Sequence, residues 1–300
     1  MIKSINGLIN KAKEIRTKTV VVACAADEHV LEAVELARKE NIVNAILVGD
    51  VDLIKEILAK LDISINNYTF VDIKDKTKAC IESVKIVNTD KNFFLMKGFV
   101  DTSIILRAAL NKEFGLRTDN RISHVSVIEV STHPKLLFMT DGAMNIKPTL
   151  DEKRQIIENS VVIANALGLE NPKVGIIAAV EKVNPQMDAT LDAVELVKMN
   201  KNNILNGCIV GGPFAIDNAI NKEAAIHKGV TDPIAGEIDI LIMPRIESGN
   251  VFYKSMMFLG NAKSASVIAG AKKPIVLTSR ADSTLNKYHS IALGALVVDL

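Results

Sequence analysis

The sequence of 300 residues has no tryptophan and only 4% aromatic residues. So few rings argue against a surface on which the bases of a nucleic acid stack. An excess of one charge sign is also missing, because 36 Lys and Arg residues are balanced by 35 Asp and Glu residues, for a formal net charge of +1. Nucleic-acid-binding proteins normally carry a basic excess, so we expect no nucleic-acid partner.

Long hydrophobic runs and cysteine pairs are missing as well. No apolar run approaches the roughly 20 residues of a membrane span, and the first residues lack the apolar segment of a signal peptide. The three cysteines, Cys24, Cys80 and Cys208, form no C-x-x-C pair. We interpret them as small buried residues in a reducing compartment rather than as a catalytic thiol. We therefore expect a cytoplasmic protein without a membrane partner.

The motifs of several common enzyme classes do not occur. The first predicted strand is followed by AADE at 25–28 rather than by G-x-G-x-x-G, and G-x-x-x-x-G-K-[ST] is absent. The five histidines are scattered without the spacing of metal ligands, so no metal site is expected. No G-x-S-x-G nucleophile elbow is present. The usual dinucleotide, nucleoside-triphosphate, zinc and serine-hydrolase enzymes are thus disfavoured.

Short apolar runs alternate with amphipathic segments along most of the chain. TVVVACA at 19–25 predicts a buried strand, and the apolar spacing in 28–40 predicts a helix. Strands alternating with helices predict an α/β protein with mostly parallel sheets in three α/β/α layers. The segments 122–130 and 135–140 are so close in sequence that they predict an antiparallel insertion.

The length fits two domains. We place a first α/β domain at 1–120 plus 270–300 and a second at 121–269, since the alternating strands begin near residue 120. Ligands of open α/β sheets bind at the carboxyl ends of strands. We expect the active site in the cleft between the two domains.

Two loops at predicted strand ends carry polar groups. In the first, Lys97 ends a strand, Thr102 and Ser103 begin a helix, and Arg107 follows on that helix. Backbone N–H groups at a helix N-terminus, two hydroxyls and a guanidinium can form an anion site. A helix cap beside a solvated arginine is the alternative.

The second loop has the sequence TSRADS at 278–283. This loop has two interpretations: Ser279, Arg280 and Asp282 act on a substrate, or they only stabilise the fold. In the second case Asp282 or Ser283 caps the last helix and Arg280 pairs with Asp282. Composition alone leaves both interpretations open.

Several spaced motifs resemble the phosphate acetyltransferase/phosphate butyryltransferase family. GNVFYK at 249–254 resembles its GNxxYK segment, and KP and TSR within 273–280 resemble its KP…SR element. TS and LR within 102–107 resemble its substrate loop, and GP at 212–213 with Asp217 resembles DGPxxxD. The resemblance runs from about residue 20 to 298. Two positions depart from the pattern: Gly211 stands where DGP has its aspartate, and Asn286 where acetyl-type members have an acid.

The resemblance implies an architecture like that of isopropylmalate dehydrogenase and the reaction acyl-CoA + phosphate = acyl phosphate + CoA. It implies substrates but no cofactor and no metal, and a homodimer or higher homo-oligomer. The expected catalytic residues are Ser279, Arg280 and Asp282, with the Ser279 hydroxyl or backbone N–H and Arg280 as oxyanion donors. The expected substrate-binding residues are Lys97, Thr102, Ser103, Arg107, Asp217 and Asn250.

Within the family the sequences of both loops are more similar to the phosphate butyryltransferase branch, so butyryl is favoured over acetyl as the acyl group. Two other functions stay open at this point. One is a non-catalytic CoA-sensing module of the same fold, against which the retention of Ser279, Arg280 and Arg107 argues. The other is a decarboxylating dehydrogenase of the isopropylmalate type, which needs a metal-binding carboxylate cluster that the sequence does not display.

Overall fold

The computed structural model describes residues 1–299. Its helices are α1 (Ile5–Glu14), α2 (Glu28–Lys39), α3 (Val51–Lys60), α4 (Lys76–Val87), α5 (Thr102–Ala109), α6 (Leu150–Ala166), α7 (Asp188–Lys201), α8 (Ile216–Ile220), α9 (Lys222–His227), α10 (Ile246–Phe258) and α11 (Thr284–Val297). Its strands are β1 (Lys18–Ala23), β2 (Val43–Gly49), β3 (Thr69–Asp72), β4 (Phe93–Lys97), β5 (Ser123–Glu129), β6 (Leu137–Thr140), β7 (Lys173–Ile177), β8 (Ile209–Phe214), β9 (Ile240–Ile242), β10 (Lys263–Ala269) and β11 (Ile275–Val276).

Acidic and hydroxyl side chains set the start of many helices. Asp27 accepts from the backbone N–H of Val30 at 2.9 Å and so caps α2. Thr149 and Glu152 form a capping box at the start of α6, in which each side chain accepts from the backbone of the other. Such bonds satisfy the N–H groups that the first turn of a helix leaves without partners.

The chain divides into two compact units. The first unit contains residues 5–120 and 264–299, and the second contains Met1–Ser4 and Arg121–Lys263. The predicted domain boundaries were 120/121 and 269/270. The first coincides with a boundary between the two units, and the second lies six residues after the boundary at 263/264. Each unit has its own buried apolar residues.

In the first unit the strand order is β3-β2-β1-β4-β11-β10. All neighbours are parallel except β10 and β11, which are antiparallel. Val20, Val21 and Val22 of β1 are fully buried, as expected for a central strand with helices on both faces. Because β4 and β11 are parallel neighbours, with Met96 beside Val276, the loops that follow them leave the same edge of the sheet.

In the second unit the strand order is β5-β6-β9-β7-β8. β5 and β6 are antiparallel, and the other neighbours are parallel. The predicted antiparallel insertion is therefore confirmed, and so is the prediction of an α/β fold with mostly parallel strands.

Helix α1 was not predicted, because charged residues separate its apolar ones. The structure buries Ile5, Leu8, Ile9 and Ala12, which are spaced as one helical face, and packs α1 against α11. Among residues 1–299 no helix is long and apolar enough to cross a membrane. All three cysteines are free and buried, as predicted.

Candidate active site

The loops after β4 and β11 meet through Arg280. Its guanidinium donates to the Asp101 carboxylate at 2.5 Å and lies over the Phe99 ring, 5.4 Å from the ring centre. The strand order therefore brings together the two loops that the sequence analysis singled out. Arg280 pairs with Asp101 rather than with Asp282, which was the alternative from sequence.

A glycine shapes the first loop. The N–H groups of Gly98 and Phe99 donate to the carbonyls of Ala23 and Cys24 at 2.9 and 2.7 Å. A Cβ on Gly98 would lie 2.2 Å from the Cys24 carbonyl oxygen, so a side chain there does not fit. This close approach turns the chain after β4 and places Phe99 and Asp101 at the edge of the sheet.

The start of α5 has an unusual cap. Asp101 occupies the N-cap position but makes no side-chain cap bond, and its carboxylate is paired with Arg280. Thr102 and Ser103 lie in the first turn, the latter exposed. Arg107 is exposed, and among the described residues it has no ion-pair partner. A helix N-terminus, two hydroxyls and a guanidinium without an ion-pair partner are the groups of the expected anion site, and their role in binding an anion stays a prediction.

Lys97, at the end of β4, is only 5% exposed. Its ammonium donates to the carbonyls of Gly98 and Val100, both at 3.2 Å, and so fixes the start of the first loop. Burial lowers the pKa of Lys97, and the positive charges of Arg280 and Lys287 lower it further. No carboxylate in residues 1–299 forms a salt bridge with it.

The second loop is a tight turn closed by Asp282. The Ser279 backbone N–H donates to the Asp282 carboxylate at 2.7 Å, and the Asp282 N–H donates back to the Ser279 carbonyl at 3.2 Å. The Ser279 N–H is therefore engaged, which leaves the hydroxyl as the donor that Ser279 can offer. The cap of α11 is Ser283, whose hydroxyl accepts from the N–H of Asn286 at 3.2 Å.

The side chain of Asn286 forms a hydrogen bond within the first unit. Its carbonyl oxygen accepts from the backbone N–H of Ser264 in β10 at 3.1 Å. Asn286, which departs from the family pattern, thus connects α11 to strand β10 of the same unit.

A carboxylate lies beside Gly211, the other position that departs from the family pattern. A Cβ on Gly211 would lie 2.7 Å from a carboxylate oxygen of Asp232. The same carboxylate accepts from the N–H groups of Gly212 and Ile234 at 3.4 and 3.1 Å. Asp232 therefore occupies the space into which a side chain at 211 would extend.

The remaining two predicted residues belong to the second unit. Asp217 is exposed on α8 and forms an ion pair with Lys228 at 2.8 Å, which lowers the pKa of its carboxyl. Asn250 is exposed on α10, and its amide donates to the Gly142 carbonyl at 3.2 Å. Their role as substrate ligands stays a prediction.

Three residues of the first unit were not predicted as part of the site: Phe99, Asp101 and Lys287. Asp101 directly precedes the predicted hydroxyls, which is a signal that the sequence offered. Lys287 lies in the polar first half of α11, beside Asn286 and near His289, so the sequence carried no signal that it is buried. Among residues 1–299 no three His, Cys, Asp or Glu residues are grouped so that they could hold a metal ion.

The family of the chain follows from comparison with known proteins. The model of the phosphate acetyl/butaryl transferase family matches residues 4–92 and 76–295. The chain belongs to this family. The loops described above carry the segments TS…LR and SR that the sequence analysis compared with it.

Individual members of the family are similar over nearly their whole length. The phosphate butyryltransferase of Clostridium acetobutylicum is 49% identical over 297 residues, which is 99% of each chain. The phosphate acetyltransferase of Thermotoga maritima is 43% identical over 279 residues, 93% of this chain and 95% of its own. A solved branched-chain phosphotransacylase from Enterococcus faecalis is 34% identical with a TM-score of 0.83, covering 94% of this chain and 99% of its own.

Proposed function

We propose that the protein transfers a short acyl group between CoA and inorganic phosphate, as in acyl-CoA + phosphate = acyl phosphate + CoA. The observation that carries this proposal is the meeting of the two loops. Arg280, the buried ammonium of Lys97 and the open start of α5 with Arg107 lie in one unit on adjacent strand ends. Full-length similarity to phosphate butyryltransferase supports the same reaction.

The first loop suits the phosphate. Thr102 and Ser103 donate from the first turn of α5, and Arg107 adds the charge of a guanidinium. A phosphate oxygen attacks the thioester carbonyl carbon, so that a C–O bond forms and the C–S bond breaks. The electron pair of that bond leaves with the sulfur, and CoA departs as the thiolate or, after taking a proton, as the thiol.

The second loop suits the charge that develops on the carbonyl oxygen. Arg280 and the Ser279 hydroxyl are the donors, since the Ser279 backbone N–H is held by Asp282. Donors that are already in place stabilise such an oxyanion without reorganisation, and losing one costs about 10²–10³-fold in kcat. Before substrate binds, Asp101 holds Arg280 by an exposed ion pair that an anionic substrate can replace.

The acyl group is the point at which the relatives differ. The similar proteins include a phosphate butyryltransferase at 49% identity and a phosphate acetyltransferase at 43% identity. We propose butyryl as the preferred group and acetyl as the alternative. The placement of the active site between two domains stays a prediction.

Phosphate-dependent release of CoA tests the reaction. The purified protein is incubated with butyryl-CoA, with and without phosphate or arsenate, and free thiol is measured. We expect release only with the oxyanion, and unchanged release after metal chelation. Equal release without an oxyanion would identify a hydrolase. Binding of CoA without any release would favour the sensing module.

We also propose a homo-oligomer, formed through the second unit. Helix α10 exposes Val251 (65%) and Phe258 (68%), followed by Leu259 (85%), and exposed apolar groups of this kind are typical of interfaces. Light scattering after gel filtration should give at least a dimer, and Phe258→Asp should shift it towards the monomer. A cytoplasmic location is part of the proposal, with the free cysteines as support.

A further inference from the structure

Lys287 is a buried cation that forms no salt bridge with any residue in the part of the chain that the structure describes. It is 3% exposed on α11, and its ammonium donates to the carbonyls of Asp282 at 2.7 Å and Ser279 at 3.0 Å. None of the carboxylates in residues 1–299 forms a salt bridge with it. Burying an ammonium without such a pair costs free energy, so the presence of a lysine here calls for a local reason.

The two carbonyls that it binds are the ends of one turn. Residues 279–282 carry Ser279 and Arg280, and Asp282 closes the turn through its carboxylate and its N–H. The Ser279 carbonyl accepts from both the Asp282 N–H and the Lys287 ammonium. Lys287 thus joins the first and last residues of the turn to the helix that follows.

We infer that Lys287 is a positioning residue for the acyl transfer, which fixes the turn carrying Ser279 and Arg280 without touching the reacting atoms. This inference rests on the proposed function. Asp282 orders the turn from within, whereas Lys287 anchors it to α11, whose neighbouring side chains are buried. Burial lowers the pKa of Lys287, and the negative charges of Asp282 and Asp27 raise it in part.

Lys273 is a matched control in the same unit. Its ammonium also donates to a carbonyl, that of Lys91, and burial also lowers its pKa. It precedes β11, however, and so lies at the opposite end of that strand from the turn. Lys273→Met removes a less buried ammonium that also binds a carbonyl, and it leaves the 279–282 turn intact.

The experiment compares Lys287→Met, Lys287→Gln and Lys273→Met with the unchanged protein. Methionine removes both donors, and glutamine keeps N–H donors for the carbonyls. We expect Lys287→Met to lower kcat by about 10–100-fold, since misplacing a catalytic group by 1 Å can cost about 100-fold. The phosphate KM should stay within about twofold, because Lys287 binds no substrate. Lys287→Gln should recover much of the kcat, and Lys273→Met should retain it.

Hydrogen exchange of the amides of 279–282 provides a readout without activity. In Lys287→Met these amides should exchange faster at an unchanged Tm, and in Lys273→Met they should not. An unchanged exchange rate, or a kcat of Lys287→Met within threefold of the original, would overturn the inference. If Lys287→Met does not fold, Lys287→Ala, which also removes the ammonium, is judged by the same exchange rates and kcat. An original protein without acyl transfer would refute the proposed function, while the exchange experiment would still test the anchoring of the turn.

Discussion

Arg280 reaches across to Asp101, 179 positions away in sequence, and the two side chains form an ion pair at 2.5 Å. Both are largely exposed, at 59% and 68%. Exposed pairs of this kind contribute only about 0–1 kcal/mol to stability. The pair therefore matters less for folding than for where the guanidinium is held, which is over Phe99 at the end of β4.

Removal of the negative charge of Asp101 should strengthen the binding of phosphate. Asp101→Asn keeps an oxygen that can accept from Arg280 but removes a negative charge from the start of α5. We expect the phosphate KM to fall by about 2–5-fold, since a charge at about 4 Å in water is worth about 1 kcal/mol. Initial rates against phosphate concentration measure this. A higher KM would mean that the carboxylate itself contributes to binding.

The two arginines should separate kinetically. Arg107→Ala should mainly raise the phosphate KM, because this guanidinium is assigned to the bound anion. Arg280→Ala should mainly lower kcat, by about 10²–10³-fold, because it is assigned to the developing oxyanion. Arg117→Ala, at another exposed arginine of the first unit, is the control and should alter neither. If phosphate saturation is unchanged in Arg107→Ala, the anion binds elsewhere.

Local patterns predicted the elements of the fold well. The repeated change between apolar strands and amphipathic helices fixed the α/β class, and two close alternating segments gave the antiparallel pair β5 and β6. Helix α1 was missed because its apolar residues are diluted by charged ones, although Ile5, Leu8 and Ala12 have helical spacing. Periodicity is thus a stronger signal than the charge of a segment.

The partners within the site could not be predicted in the same way. That Arg280 pairs with Asp101 depends on β4 and β11 being neighbours, which is a property of the strand order and not of either loop. The direction of the Asp282 carboxylate towards the Ser279 N–H depends on the turn itself. The sequence identified both loops. Which of their groups remain free to bind a substrate could be seen only in the three-dimensional structure.

Asp282 should act through the turn that it closes. Asp282→Asn keeps an acceptor for the Ser279 N–H, and we expect a loss of about 10-fold in kcat. Asp282→Ala removes the acceptor and should cost about 100-fold, which corresponds to about 2.7 kcal/mol. Ser283→Ala is the matched control, because it removes the cap of α11 and should cost about 1 kcal/mol of stability with little change in kcat. Equal kcat values for all three variants would reduce Asp282 to a structural role.

Lys97 should give the reaction an alkaline limit. Its pKa is lowered by burial and by the charges of Arg280 and Lys287, so it loses its proton below the ordinary lysine value of about 10.4. The phosphate KM should therefore begin to rise at a pH below about 10.4, as the positive charge is lost. The free energy of unfolding should increase with pH between the lowered pKa and the ordinary one, because there the unfolded chain binds more protons than the folded one.

Replacing Lys97 by arginine tests this assignment. A guanidinium stays protonated in this range, so Lys97→Arg should move the rise in phosphate KM to higher pH. Lys287, whose pKa is lowered as well, remains, and loss of its proton is expected to lower kcat rather than to raise the phosphate KM. A pH profile that is the same in both proteins would assign the limit to another group.

The choice of acyl group can be tested on the unchanged protein. Acetyl-, propionyl-, butyryl- and isobutyryl-CoA are compared by kcat/KM at saturating phosphate. Two methylene groups buried in an apolar pocket favour butyryl over acetyl by about 1.6 kcal/mol, or about 15-fold. We expect butyryl-CoA to have a higher kcat/KM than acetyl-CoA by about this factor. The reaction without phosphate is the control for each thioester. A higher kcat/KM for acetyl-CoA would reject the butyryl assignment and leave the transfer to phosphate in place, because the loops after β4 and β11 hold the phosphate and the carbonyl oxygen whichever chain is attached.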